Sequence, residues 1–225
     1  RAERFGVSMS TKRIVVLISG SGSNLQAIIN AIDAGHINGR IEHVISNKAD
    51  AYGLVRAEQA GISYSVIDHK AFDSRESFDA HTRQVIDKHA PDLVVLAGFM
   101  RILSAAFVQH YHGKMLNIHP SLLPKYKGLH THKRALEAGD NEHGCTVHFV
   151  TEELDGGPLL VQACVPVSSD DTEASLQAKV HQREHVAYPL AIELICADRI
   201  RFDEAGIFLD DELLPPSGFR LAYDA

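Results

Sequence analysis

From Arg13 the chain enters a near-continuous β-branched run, Ile14-Val15-Val16-Leu17-Ile18, the pattern of a strand covered on both faces. The run ends in Gly20-Ser21-Gly22-Ser23-Asn24. Leu25, Ile28, Ile29 and Ile32 then recur at i, i+3, i+4 and i+7, the stripe of a helix lying on a sheet. The alternation continues with a strand over 41–45, a helix over 52–60 stopped by Gly61, and a strand over 62–67. A polar amphipathic helix over 74–89 precedes the apolar residues 92–97, which mark a central parallel strand. Ser104 is placed to cap a short helix through 111 that Gly113 ends, and Thr131 to cap another through 138 before Gly139.

Residues 145–150 alternate and 159–167 are mostly apolar, so the two segments are expected to pair across the Asp155-Gly156-Gly157 turn and make the sheet mixed. A long helical pattern over 173–196 carries Leu176, Val180, Leu190 and Leu194, with a kink expected at Tyr188-Pro189. Ile200, Phe202, Ile207 and Leu209 around Gly206 predict a small hairpin before Pro215-Pro216. No internal repeat, linker or break in composition interrupts this order. The expected fold class is α/β: a doubly wound, mostly parallel Rossmann-like sheet that becomes mixed towards the C-terminus.

Composition narrows this modestly. At 225 residues and 45% hydrophobic content the chain supports one domain with a real core. A net charge of −7 without long like-charge blocks argues against a general nucleic-acid or membrane-surface binder, so an anionic ligand must be met locally. Cys145, Cys164 and Cys196 are odd in number and widely spaced, which suggests neither a disulfide framework nor a zinc ribbon and fits a reducing cytoplasm. No stretch approaches the roughly 20 apolar residues of a membrane span. Met9 is the expected natural start, with residues 1–8 extra sequence and 1–11 outside the folded part.

Two places carry candidate chemistry. Gly20 to Asn24, between a strand and a helix, is a candidate phosphate cradle, because glycines let a ligand approach the N–H groups of a helix start. A dinucleotide fingerprint fails, since Leu25 stands at the third glycine position and Ser46-Asn47 rather than an acid follows the second strand. A Walker loop fails too, leaving a single phosphate or a plain βα turn. The second place is Met115 to Pro124. Strand periodicity puts Asn117 and His119 on one face, and Pro120 stops the ladder, so the pair sits at a carboxyl edge where open α/β sheets bind ligands. An amide beside an imidazole could stabilise an oxyanion, and a carboxylate such as Asp155 could orient the ring and keep it charged. Singly, His119 also reads as a hydrogen-bonded strand end and Asp155 as a turn former. Among 14 histidines the closest pair, His130 and His132, lacks a third ligand at metal-like spacing, so no metal is expected. His143, His148, His181 and His185 read as surface or hydrogen-bonding residues.

Taken together, residues 18–28, 97–103, 116–124, His148-Phe149-Val150, Asp155-Gly156-Gly157-Pro158 and Glu184-His185 with Tyr188-Pro189 resemble the phosphoribosylglycinamide formyltransferases, one-carbon transferases of de novo purine synthesis. The likeness runs in order from about Lys12 to the C-terminus. Asn-x-His-Pro-Ser-Leu-Leu-Pro is specific to formyl-folate transferases as a group; the glycine loop and the Glu-His to Tyr-Pro segment narrow it. The resemblance implies a single formyltransferase domain over 12–225, with a phosphate-binding half to about 110 and a catalytic, folate-binding half beyond. It implies transfer of the formyl group of 10-formyltetrahydrofolate to the amine of glycinamide ribonucleotide, without metal or nucleic acid, in a cytoplasmic monomer or homodimer.

By position the resemblance implies a catalytic trio of Asn117, His119 and Asp155. Gly22, Ser23 and Asn24 would hold the ribonucleotide phosphate and Glu184 its sugar or glycinamide part. Met100, Arg101, Ile102 and Leu103 would line the pterin slot together with Asn117, Arg75 would help from the edge, and residues 152–157 would close over the folate. The alternatives are a methionyl-tRNA formyltransferase, for which length and basic charge are wanting, a formyltetrahydrofolate deformylase, which bears an N-terminal regulatory domain, and a non-catalytic phospho-ligand-binding module, which has no reason to keep the trio.

Overall fold

A computed structural model describes residues 10–223; the expectations about residues 1–9 lie outside it. The parallel part of the sheet comprises β1 (Lys12–Ile18), β2 (Gly39–Ser46), β3 (Tyr64–Val66), β4 (Leu93–Leu96) and β5 (Met115–His119). β6 (Glu142–Phe149) runs antiparallel to β5, and β7 (Leu159–Pro166) antiparallel to β6. A short strand β11 (Phe219–Leu221) adds in parallel to β7, giving the order β11-β7-β6-β5-β4-β1-β2-β3. The expected mixed, doubly wound sheet is what the chain forms. Three further strands, β8 (Ile200–Asp203), β9 (Gly206–Leu209) and β10 (Glu212–Leu213), make a separate antiparallel sheet that extends the expected hairpin.

The helices are α1 (Ser23–Asp33), α2 (Gly53–Gln59), α3 (Arg75–Asp87), α4 (Ala105–His110), α5 (Thr131–Glu137) and α6 (Glu173–Cys196). Pleating explains the unbroken apolar run of β1: Ile14, Val16 and Ile18 belong to a core shared with Leu25 and Ile28 of α1 and Tyr188 of α6. Val15 and Leu17 face the other way, into a core with Phe78 of α3 and Phe107 of α4.

One local expectation changes. Thr131 does not cap α5; His130 holds the N-cap position in a left-handed conformation, while the Thr131 hydroxyl donates to Pro120 O at 2.5 Å. The helix therefore starts one residue early and is tied to the loop after β5. α6 runs as one helix through Pro189, its buried face carrying Leu176, Val180, Glu184 and Tyr188 at intervals of four and packing on β6, β7 and α1. Residues 64–66 of the third predicted strand are in register with β2, and on either side Val44 N donates to Ser63 O and Ile67 N to Ser46 O.

The β6–β7 pair is closely packed at Gly144, opposite Cys164: a Cβ there would lie 2.0 Å from Ala163 O, a backbone atom that cannot swing aside. Gly144→Ala is expected to lower the unfolding free energy by at least about 2 kcal/mol. A urea midpoint equal to wild type would contradict this packing.

Candidate active site

Three strand ends meet at one edge. After β1, Gly22 adopts φ 72° and becomes the N-cap of α1 without any side-chain cap bond or acidic residue in the first turn, so the first N–H groups of the helix are left for another acceptor. The loop is held from α2: Gly53 N donates to Gly20 O at 3.0 Å and Arg56 Nε to Ser21 O at 2.8 Å. A Cβ on Gly22 would sit 2.5 Å from Gly53 Cα, so both glycines are needed for the approach. Beside the loop, Asn24 Nδ2 donates to Glu184 Oε1 at 3.0 Å, and Asn24 Oδ1 is buried without a partner. Burial raises the Glu184 carboxyl above its ordinary range, opposed by the Asn24 bond and by His181. Ser23, Asn24 and Glu184 are thus gathered as expected around one helix start.

After β4, Gly98 at φ 74° turns the chain into residues 99–103. Arg101, Ile102 and Leu103 line a cavity of about 130 Å³ together with Asn117, His148 and residues 150–155. Met100, expected in the slot, and Arg75, expected at its edge, do not line this cavity. Met100 is 68% exposed, with its N–H donated to Ser19 Oγ, and Arg75 is exposed at the first residue of α3. The reason in both cases is local geometry: the left-handed turn at Gly98 sends Met100 outward, and Arg75 sits in the solvent-facing first turn of its helix.

His119 and Asp155 are almost fully buried, with His119 Nδ1 3.5 Å from Asp155 Oδ1. Asp155, at φ 54°, also accepts from Gly128 N at 2.9 Å. His119 Nε2 is 2.8 Å from Tyr126 O, to which it donates. Both ring nitrogens therefore face acceptors, and a ring with a proton on each satisfies both. The 120–126 loop that supplies the Tyr126 carbonyl is fixed by a buried network: Thr146 Oγ1 donates to Ser121 O, Leu123 N donates to Thr146 Oγ1, and Gln162 Nε2 donates to Leu123 O.

Two of the histidines read as surface or hydrogen-bonding residues prove to be buried and hydrogen-bonded. His148 lies opposite Asn117 in the β5–β6 register, is 2% exposed, donates through Nδ1 to Phe149 O, and keeps Nε2 without a partner. Burial holds it below the ordinary histidine value. Its place on the alternating 145–150 strand was the available signal. His143 bonds His132 at 3.0 Å, and burial followed by the charge of His132 pushes it down to about 4. Among the described residues no group of three or more His, Cys, Asp or Glu is placed to hold a metal ion, and no helix is long and apolar enough to cross a membrane.

A crevice where parallel strands end, with an uncapped helix start on one wall and an amide, an imidazole and a carboxylate on the other, is built for group transfer to an anionic small molecule. The Formyl transferase family model matches residues 12–192, which sets the class. Phosphoribosylglycinamide formyltransferase of Escherichia coli K12 is 58% identical over 206 residues, 92% of this chain and 97% of that protein. The human trifunctional purine biosynthetic protein adenosine-3 is 47% identical over 202 residues, 90% of this chain but 20% of that protein. The solved phosphoribosylglycinamide formyltransferase of Coxiella burnetii superposes with a TM-score of 0.90 at 51% identity, covering 93% of this chain and 99% of that one. The chain belongs to the phosphoribosylglycinamide formyltransferase family.

The buried neutral state of His143 has a pH consequence. Its folded value, about 4, lies below the ordinary 6.5, so the unfolded chain binds the proton first as pH falls. The stability it contributes is complete above about pH 6.5 and is lost towards pH 4, at up to about 1.4 kcal/mol per pH unit. His143→Gln is expected to flatten the pH dependence of urea unfolding in that window, and an unchanged slope would contradict the assignment.

Proposed function

We propose that this chain transfers the formyl group of 10-formyltetrahydrofolate to the amine of glycinamide ribonucleotide by direct attack, with Asn117, His119 and Asp155 as its catalytic groups. The observation that carries the reading is the buried His119–Asp155 pair, whose carboxylate shares one cavity wall with Asn117. Family membership and the uncapped α1 start support it. The ribonucleotide phosphate takes the free N–H groups at Gly22, Ser23 and Asn24, and Glu184 faces its sugar or glycinamide part. The pterin lies against Arg101, Ile102 and Leu103, under the loop that carries Asp155. Arg75 and Met100 act from the rim, where the exposed guanidinium suits an acidic tail of the donor.

The amine nitrogen attacks the formyl carbon, and the C=O pair moves onto oxygen. Asn117 donates its carboxamide N–H to that oxyanion, and so does His119. Since His119 Nε2 already donates to Tyr126 O, presenting it to the oxyanion exchanges a neutral acceptor for a charged and stronger one. Asp155 balances the ring's charge. The proton lost by the amine reaches N10 of the folate through His119 or a water, the C–N10 bond breaks, and formylglycinamide ribonucleotide and tetrahydrofolate leave. Such acid–base assistance is worth about 10²–10⁴-fold.

The decisive assay follows loss of 10-formyltetrahydrofolate with glycinamide ribonucleotide, with water alone, and with charged initiator tRNA. Turnover is expected with the first only, and equal turnover without it would sink the reading in favour of a deformylase. His119→Ala and Asp155→Asn should fold and lose about 10²–10⁴-fold in kcat; wild-type rates in either would refute its role.

A further inference from the structure

Tyr188 is fully buried, and its hydroxyl reaches two main-chain carbonyls on different strands: Leu96 O at 2.7 Å and Leu116 O at 3.1 Å. One O–H proton is shared between both acceptors. β4 and β5 pair only at Val94 with Met115 and at Val95 with Leu116. The hydroxyl therefore sits where the ladder stops and the strands part. The Leu116 carbonyl belongs to the peptide unit whose nitrogen is that of Asn117. The Leu96 carbonyl belongs to the peptide whose nitrogen, Ala97 N, donates to Leu17 O of β1 at 2.9 Å. Beyond Ala97 the chain turns at Gly98 into the residues that line the cavity. One phenol thus fixes peptide planes on both walls of the crevice. A buried tyrosine needs a single acceptor, so packing alone does not call for this bridge.

We propose that Tyr188 is a positioning residue for formyl transfer, setting the distance between the ends of β4 and β5 and with it the aim of the Asn117 amide at the donor. The inference rests on the catalytic reading of Asn117 above. Displacement of a catalytic group by about 1 Å costs on the order of 10²-fold, whereas the glycine loop of the phosphate cradle is held by its own bonds from Gly53 and Arg56 and takes none from the Tyr188 hydroxyl.

The test is a double-mutant cycle on the whole protein with Tyr188→Phe, which keeps the ring and removes the donor, and Asn117→Ala. Tyr188→Phe is expected to lower kcat by about 10–100-fold well below its melting temperature. The KM for glycinamide ribonucleotide should stay within about threefold of wild type, because the phosphate cradle is untouched. In the Asn117→Ala background the same change should cost little more. A lowered melting temperature with unchanged kcat, or losses that multiply in the double variant, would overturn the proposal. Wild-type activity in Asn117→Ala would instead refute the catalytic reading and take this inference with it. Should Tyr188→Phe fail to fold, para-aminophenylalanine at 188 retains a donor; kcat near wild type supports the bridge, and a tenfold loss with the donor present overturns it.

Discussion

β5 has a parallel neighbour on one side and an antiparallel neighbour on the other, and the geometry of the site follows from that. Parallel pairing with β4 sends its carboxyl end to the edge where β1 and β4 also finish, so the glycine loop, the 99–103 turn and the Asn117/His119 face gather in one crevice. Antiparallel pairing with β6 brings His148 opposite Asn117 and Thr146 opposite His119. Because β6 ends beside Leu116, the connection to β7 must fold back over the crevice, and it is this return that sets Asp155 against His119. A strand with two parallel neighbours would send the chain away through a crossover instead.

The helix start beside this crevice is uncapped by its own side chains, as are the starts of α2 and α5, while α3 and α6 show what a capped start looks like in this chain. α3 and α6 each carry a reciprocal capping box and a glutamate in the first turn, Ser74 with Ser77 and Glu76, and Thr172 with Ser175 and Glu173. α1 has neither feature. Withholding a cap costs about 0.5–2 kcal/mol, a deficit that the phosphate of the proposed substrate would remove by accepting the free N–H groups. A net charge of −7 does not oppose this, since the N–H groups act at hydrogen-bond range while distant surface charge is screened.

The architecture was legible because its signals are local. The β1 run, the i, i+3, i+4, i+7 stripe of α1 and the alternation of β6 each follow from one element's own burial pattern. β11 escaped notice because three residues carry no period, and it exists only where β7 offers an edge. At the site, periodicity placed Asn117 and His119 on a shared face, and family resemblance brought Asp155 to them. Nothing local could give the Tyr126 carbonyl as the second partner of His119, because that bond depends on a loop fixed by Thr146 and Gln162 from two other strands. Met100 shows the converse: its place in the chain suits the slot, but the Gly98 bend decides where it goes.

The histidines make the same point in chemical terms. His43 lies between Ser63 and Ser65, stacked on His89, and is pushed down to about 4 by burial and then by that neighbour. A hydroxyl can give or take, so one ring proton completes that set. His143 faces another imidazole, and again one shared proton suffices. His119 alone of these three lies between a carbonyl and a carboxylate, neither of which can donate. Both of its nitrogens therefore face acceptors, which is the geometry on which the proposed oxyanion role of His119 rests. The same side chain closes its hydrogen bonds within the fold at 43 and 143, and it is the different pair of partners at 119 that supports the proposed catalytic role there.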